Sequence, residues 1–244
     1  MELFDCIKTR RCIRKFQSTP VPWDLVSKIL DAGRLAPNAG NLQNWKFIVV
    51  LDQGTRQKIA EACLRQYWMA KAPVHIVVCA DPKVSERYYG TRGDRLYSVQ
   101  NCAAASQNML LQAHNLGLGA CWVGAFDENM VSNAVGLPEE VRPQVIIPLG
   151  YPDEKPAEPA KYPLENITYF EKWRGKIQDV PAYMGYYSIK WEKGAKKAKA
   201  ALEKQSEKLA VKAKEVAAKV KKKVEEKRKR YKDLKEFKKV HGLK

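Results

Sequence analysis

The segment TRRCIRKF, residues 9–16, packs four cationic side chains, Arg10, Arg11, Arg14 and Lys15, into eight positions at the end of a short amphipathic stretch. Guanidinium groups present planar forked donors that match phosphate oxygens, and Cys12 puts a small side chain among them where a larger one would block close approach. Such a cluster either seats an anion or forms a solvated basic turn. A second segment, LAPNAGNLQNW at residues 35–45, breaks a helical pattern at Pro37 and offers amides from Asn38, Asn41 and Gln43 around Gly40. Amides both donate and accept, so this cluster can hydrogen-bond the sugar-like chain or polar ring edge of a cofactor; the alternative is an Asx-turn joining helix to strand.

Other chemistries find little support. His75, His114 and His241 are scattered, with no carboxylate or second histidine at metal-ligand spacing, so no metal site is expected. His75, in the run VHIVVCAD, and His114, near the end of a long helical pattern, read as packed or surface residues. Gly117 and Gly119 do not open a dinucleotide fingerprint, because the next glycine is Gly124 and not position 122; no lysine-bearing phosphate loop occurs either. The six cysteines, Cys6, Cys12, Cys63, Cys79, Cys102 and Cys121, form no C-x-x-C pair, and most lie in apolar segments, so they are expected to be reduced thiols. With no placed nucleophile, acid–base pair or metal, the reaction must be carried by a cofactor.

The elements that must position these residues follow from periodicity. Residues 2–9 and 22–35 read as helices, the second with Leu25, Val26, Ile29 and Leu30 at helical spacing after a proline start. Residues 46–51 and 74–80 are buried strands, with a helix over 55–64 between them. Their apolar runs do not alternate, which suits a sheet covered on both faces. Residues 81–94, DPKVSERYYGTRGD, show no period and are expected to be a lid-like loop whose Tyr88, Tyr89 and Arg92 shape acceptor choice. Residues 96–116 predict the longest helix, 119–126 a strand, 128–135 a helix and 145–149 a strand. In GACWVGAF, Gly124 and Ala125 are either a tight turn or backbone laid against a flat ring.

Charge divides the chain. Residues 190–244 hold 22 Lys+Arg against 8 Asp+Glu, a net of +14 within the chain's +17, so the body is nearly neutral and gives no ground for nucleic-acid binding. The sequence predicts two regions, a body over 1–185 and a Lys/Ala/Glu-rich tail over 186–244 read as one long basic helix. A thin apolar stripe runs along it through Leu209, Ala213, Val216, Val220, Val224, Tyr231 and Leu234. Such a tail is either a solvated helix or a sequence-independent contact for nucleic acid or anionic lipid. The first residues lack a signal-peptide core and no apolar run reaches the ~20 residues of a bilayer span, so a cytoplasmic protein is expected.

Taken together, R-R-x-x-R-x-F followed by A-P-N-A-G-N-x-Q-x-W, with L-G-L-G-x-x-W-x-G-x-F at residues 116–126, resembles the nitroreductase family of FMN-dependent oxidoreductases over about residues 2–175. The resemblance implies an α+β fold, a small mixed sheet with helices on both faces, in a homodimer whose central helices, here 96–116, form the interface and build two flavin sites. It implies Arg10 and Lys161 on the FMN phosphate, Arg11 and Cys12 along the phosphate and ribityl chain, and Arg14 at the pyrimidine edge. Cys12 stands where the family commonly has serine. Pro37, Asn38, Ala39 and Asn41 would approach the flavin from the other subunit, with Asn38-Ala39 in place of frequent paired serines. Gln66 would read the ring edge, Gln43 and Trp45 would support the motif, and backbone at Gly124 and Ala125 would meet the flavin's reactive edge.

The implied chemistry is hydride transfer from NADH or NADPH to flavin N5, with Arg14 stabilising charge on the pyrimidine side, then reduction of a nitroaromatic or quinone over the same face by ping-pong kinetics. The rival reading is a flavin-binding module whose basic tail, touching nucleic acid or an anionic membrane, is the working part. Reductive dehalogenation or flavin breakdown on the same fold forms a third.

Overall fold

In a computed structural model, which describes residues 1–175, the apolar runs before residue 81 form strands β1 (Trp45–Val50) and β2 (Val74–Ala80). With β3 (Gly119–Ala120) and β4 (Arg142–Gly150) they make one sheet in the order β1-β2-β4-β3. The seven residues of β2 are all buried because it is central in the sheet and covered on both faces. Its register pairs Val50 with His75 on one side and Ile76 with Ile147 on the other.

Alternation along β2 feeds two cores. Val74, Ile76, Val78 and Ala80 face helices α2 (Trp23–Arg34) and α5 (Ser98–Asn115) in a cluster with Val26, Ile29, Met109 and Ile147. Val77 and Cys79 face α3 (Gln53–Ala62) and α6 (Glu128–Val135) in a second cluster with Ile59, Met69, Val131 and Ile146. Burying each of these large side chains is worth about 1.5–3 kcal/mol. Helix starts follow their capping residues: Glu2 accepts from Phe4 N and Asp5 N at the head of α1 (Leu3–Thr9), Asp52 from Thr55 N, and Asp127 from Met130 N.

Three expectations are corrected. The sheet is antiparallel throughout its named strands, and the sole parallel pairing among the described residues is an isolated bridge of Cys12 with Ala120. Burial on both faces reflects the two helical layers, whatever the strand direction. Residues 81–94 are not an irregular loop: Pro82–Arg92 forms α4, broken at Gly90 (φ +55°), and Gly93–Tyr97 forms a π-helical turn into α5. Residues 119–126 form a strand only at Gly119–Ala120, followed by a lone bridge of Val123 to Ile146.

The chain divides into two compact units, Met1–Pro159 and Ala160–Lys244. In the second, residues 160–175 are described, with a short helix Leu164–Ile167 and an edge-to-face contact of Tyr169 with Trp173 at 4.8 Å. The expected boundary at 185 and the tail helix lie outside the described residues. Among the described residues no helix is long and apolar enough to cross a membrane, and no group of His, Cys, Asp or Glu could hold a metal ion.

Candidate functional site

The arginine segment follows the end of α1, as the sequence predicts, and is tied to its neighbours by isolated bridges at Cys12 and Phe16. Helix α1 closes with Arg10 N donating to Cys6 O at 3.0 Å, after which Cys12 pairs with Ala120, Ile13 N donates to Ala120 O at 3.1 Å and Gln17 N to Tyr151 O at 2.9 Å. Ile13 and Phe16 are buried and anchor the run against Ala72 and Trp68. Arg10 Nη1 donates to Cys12 Sγ at 3.9 Å, and the Arg14 guanidinium lies 5.9 Å from the Trp68 ring centre.

Arg11 takes the other direction. Its Nη1 donates to Lys8 O at 2.7 Å and Arg10 O at 2.8 Å, and its Nη2 lies 3.8 Å from Glu158, so it ties off the carbonyl end of α1. Glu154 Oε1 accepts from the backbone N–H groups of Arg14 and Lys15, which fixes the strand where Arg14 leaves it.

Beyond Ala120 the chain brings Cys121 and Trp122 to Cys12. The Cys12 thiol sits well below its ordinary pKa. Hydrogen bonding from the Cys121 thiol, the Trp122 N–H and Arg10, with the Arg10 charge, outweighs burial, which acts the other way. The same pairing, with burial, pushes Cys121 up. By contrast Cys63, Cys79 and Cys102 are pushed up to about 12 by burial. Val123 is pinned to β4 through Ile146, by hydrogen bonds of 3.0 and 2.9 Å, and the next two residues, Gly124 and Ala125, are exposed. A Cβ on Gly124 would meet only the Trp122 indole, at 3.3 Å, so the fold itself does not require glycine there.

Gln66 is half-buried and heads the short 3-10 turn Tyr67–Lys71 that carries Trp68, which links it to the Arg14 side. It follows two residues in left-handed backbone, Leu64 (φ +56°) and Arg65 (φ +60°). The amide loop stores the same kind of strain at Gly40 (φ +58°), Asn41 (φ +55°) and Gln43 (φ +48°). It is held from inside: Asn38 Oδ1 accepts from Gln43 N at 2.9 Å and Asn101 Oδ1 from Ala39 N at 3.0 Å. Asn101 Nδ2 in turn donates to Asn44 Oδ1 at 2.7 Å. Asn101 and Asn44 are residues the sequence reading missed; a polar amide on the buried face of an alanine-rich helix was the available signal.

The expected site residues thus fall into two groups. Arg10, Cys12 and Arg14 lie on one segment, with Trp68, two residues after Gln66, against Arg14 and the Trp122 N–H against Cys12; Gly124 and Ala125 follow Trp122 in the chain. Pro37, Asn38, Ala39 and Asn41 sit apart on their own loop, whose hydrogen bonds reach α5 and not the arginines. Lys161 belongs to the second unit.

The residues present fit a flat, phosphate-bearing cofactor: the Arg10 guanidinium is a charged donor beside Cys12, and the Trp122 N–H at Cys12 leads into the exposed small residues Gly124 and Ala125. A profile of the nitroreductase family matches residues 7–67 and 62–151. The chain is 41% identical over 177 residues to a Methanothermobacter thermautotrophicus protein provisionally named NADH dehydrogenase/NAD(P)H nitroreductase, covering 71% of this chain and 88% of that one. It is 31% identical over 192 residues to an NADH dehydrogenase of Thermus thermophilus, covering 68% and 92%. An FMN-dependent nitroreductase of Clostridium difficile superposes with a TM-score of 0.61 at 26% identity, covering 70% of this chain and 99% of that one. The chain belongs to the nitroreductase family and is an oxidoreductase.

Proposed function

We propose that this chain binds FMN along the arginine strand and, as a homodimer, transfers electrons from NADH or NADPH to a nitroaromatic or quinone by a ping-pong route. The observation that supports the reading is the contact of Arg10 with Cys12 on a segment bridged to Ala120, from which the chain runs on to exposed Gly124 and Ala125. FMN held by Arg10, Cys12 and Arg14 would supply the redox chemistry, hydride acceptance from the nicotinamide and electron donation to the acceptor.

The chain's own residues then divide the work. Arg10 holds the phosphate as a charge-assisted donor, with Cys12 and the Arg11 backbone beside the phosphate and ribityl chain. Arg14, backed by Trp68 and fixed through Glu154, stabilises negative charge at the pyrimidine edge. Gln66 donates at the ring edge, and Gly124 and Ala125 keep one ring face open to nicotinamide and acceptor in turn. Residues 37–41 of a second copy complete the site, a reading supported by that loop's hydrogen bonds, which among the described residues run within the loop and to α5 and not to the arginines.

Arg10→Ala is expected to weaken FMN by roughly 1.5–3 kcal/mol, about 10- to 150-fold, measured by flavin fluorescence titration. Arg14→Ala is expected to keep bound flavin and to slow its reduction by NAD(P)H in stopped flow. Flavin binding unchanged by Arg10→Ala, or a colourless chain that FMN cannot reconstitute, would overturn the assignment. Intersecting instead of parallel double-reciprocal lines would remove the ping-pong route.

A further inference from the structure

Cys12 and Cys121 form a pair of thiols that the proposed reaction does not use. Cys12 is bridged to Ala120, and the next residue, Cys121, is held on its other side by its N–H donating to Pro148 O of β4 at 3.4 Å. Adjacent strands about 4.8 Å apart with a rise of about 3.3 Å per residue put diagonal Cα atoms about 6 Å apart, inside the range a disulfide spans. Each thiol acts on the other's ionisation, Cys121 favouring the Cys12 thiolate, while Cys121 Sγ donates to Trp122 O at 3.8 Å. Cys12 is only partly buried and faces the Arg10 guanidinium, whereas Cys121 is 2% exposed. The remaining cysteines have other surroundings: Cys6 donates to Leu111 O, Cys79 and Cys102 lie together in the core, and Cys63 is fully buried.

We propose that Cys12 and Cys121 are a dithiol modification site in the cofactor seat, oxidised to an intramolecular disulfide by a low-molecular-weight disulfide when the seat is empty and shielded when FMN fills it. Cys12 is the nucleophile, since its thiolate is stabilised by the Cys121 thiol, the Trp122 N–H and Arg10 and is reachable from solvent. Its sulfur attacks one sulfur of the small disulfide, forming a mixed disulfide and releasing one thiolate. Cys121 then gives its proton to solvent, attacks the Cys12 sulfur and releases the second thiol. The balance is two protein thiols and one small disulfide giving one protein disulfide and two small thiols. The four other cysteines are not drawn in, because burial or distance keeps them from Cys12.

The shielding arm rests on the FMN reading above and has a charge basis as well as a steric one. A phosphate dianion on Arg10 competes with the Cys12 thiolate for the same guanidinium, so each disfavours the other. Closing the disulfide in turn removes the thiolate and locks the arginine strand to residue 121, which alters the seat for FMN.

The experiment treats the full-length, flavin-depleted protein with glutathione disulfide at neutral pH, alkylates free thiols and maps peptides by mass spectrometry. The expected product is a Cys12–Cys121 cross-link, with Cys6, Cys63, Cys79 and Cys102 recovered as thiols after denaturation. Cys121→Ser is expected to stop at one glutathione on Cys12, and Cys12→Ser to take up none at Cys121. Free thiols at both positions in the wild type, or a cross-link joining either to another cysteine, would overturn the proposal without reliance on any variant's folding. Prior addition of FMN is expected to slow the cross-linking about tenfold or more. A cross-link that forms at the same rate with FMN present supports the dithiol site and counts against FMN in this seat.

Discussion

Glycine at position 124 can be there for the fold or for a ligand, and the surroundings separate the two. Its backbone is not in the left-handed region, and an added Cβ would touch only the edge of the Trp122 indole at 3.3 Å. Gly124→Ala should therefore leave unfolding free energy within about 0.5 kcal/mol of wild type. If the exposed backbone lies against a flat ring, the methyl group intrudes there, and turnover should fall about tenfold, about 1.4 kcal/mol of activation free energy. Steady-state rates beside denaturant melts check this. Unchanged turnover would mean that the ring face is elsewhere, and a large loss of stability would make the glycine structural.

At the scale of elements, Asn101 on α5 and His75 on β2 are buried polar residues with separate consequences. Asn101 on α5 joins the strained amide loop to Asn44, which is itself fully buried with Nδ2 lacking a partner among the described residues. Asn101→Ala strips Ala39 N and Asn44 of their partner and should destabilise the fold by roughly 1–3 kcal/mol. It should also weaken flavin, because the left-handed residues at 40, 41 and 43 lose their inner anchor. A melt and a flavin titration on the same variant test this; lost stability with unchanged flavin affinity would show that the loop does not touch the cofactor. His75 on β2 presents Nε2 to Met69 O at 2.8 Å, and burial lowers its pKa to about 4, the Met69 carbonyl opposing and Arg56 reinforcing the shift. Its folded pKa lies below the unfolded value of about 6.5. Its contribution to stability is complete above that value and is lost as pH falls toward about 4, at close to tenfold in the folding constant per pH unit. Chemical melts between pH 7 and pH 4.5 should show that slope in wild type and a flatter one in His75→Gln; parallel slopes would exclude His75 as the source. The elements that sequence made legible are those with a strong apolar period or a buried run: α2, α6 and β2 fall where the pattern puts them. Helix α4 was illegible because its buried face is little more than Ser85 and because Gly90 interrupts it. The close of α1 at Thr9 was legible, whereas the bridge of Cys12 to Ala120 was not, because its partner lies a hundred residues away.

The whole molecule leaves apolar surface that a single copy does not cover. Expected as the bare dimer helix, α5 turns most of its apolar face to its own sheet and α2, with Cys102, Ala105, Met109, Leu110 and Ala113 buried. What stays open is nearby: a groove of about 360 Å³ between α1, α2 and α5, lined by Met1, Leu3, Cys6, Leu35 and Leu111 among others, with Leu3 67% and Leu35 66% exposed. Helix α1 adds exposed Phe4 and Ile7, so an apolar patch forms on the element that leads straight into the arginine strand. A second copy docked there would remove that surface from water and could bring its own amide loop toward the arginines, which supports one flavin site built from two chains. Leu3→Glu with Leu35→Glu alters side chains that contribute little to their own core, so each protomer should stay folded while the paired charges oppose association. The expected outcome is a monomer in sedimentation with flavin content falling in step. A dimer that survives the double substitution would place the interface elsewhere, and a monomer that keeps its full flavin would show that one copy's arginine strand and exposed backbone suffice for the site.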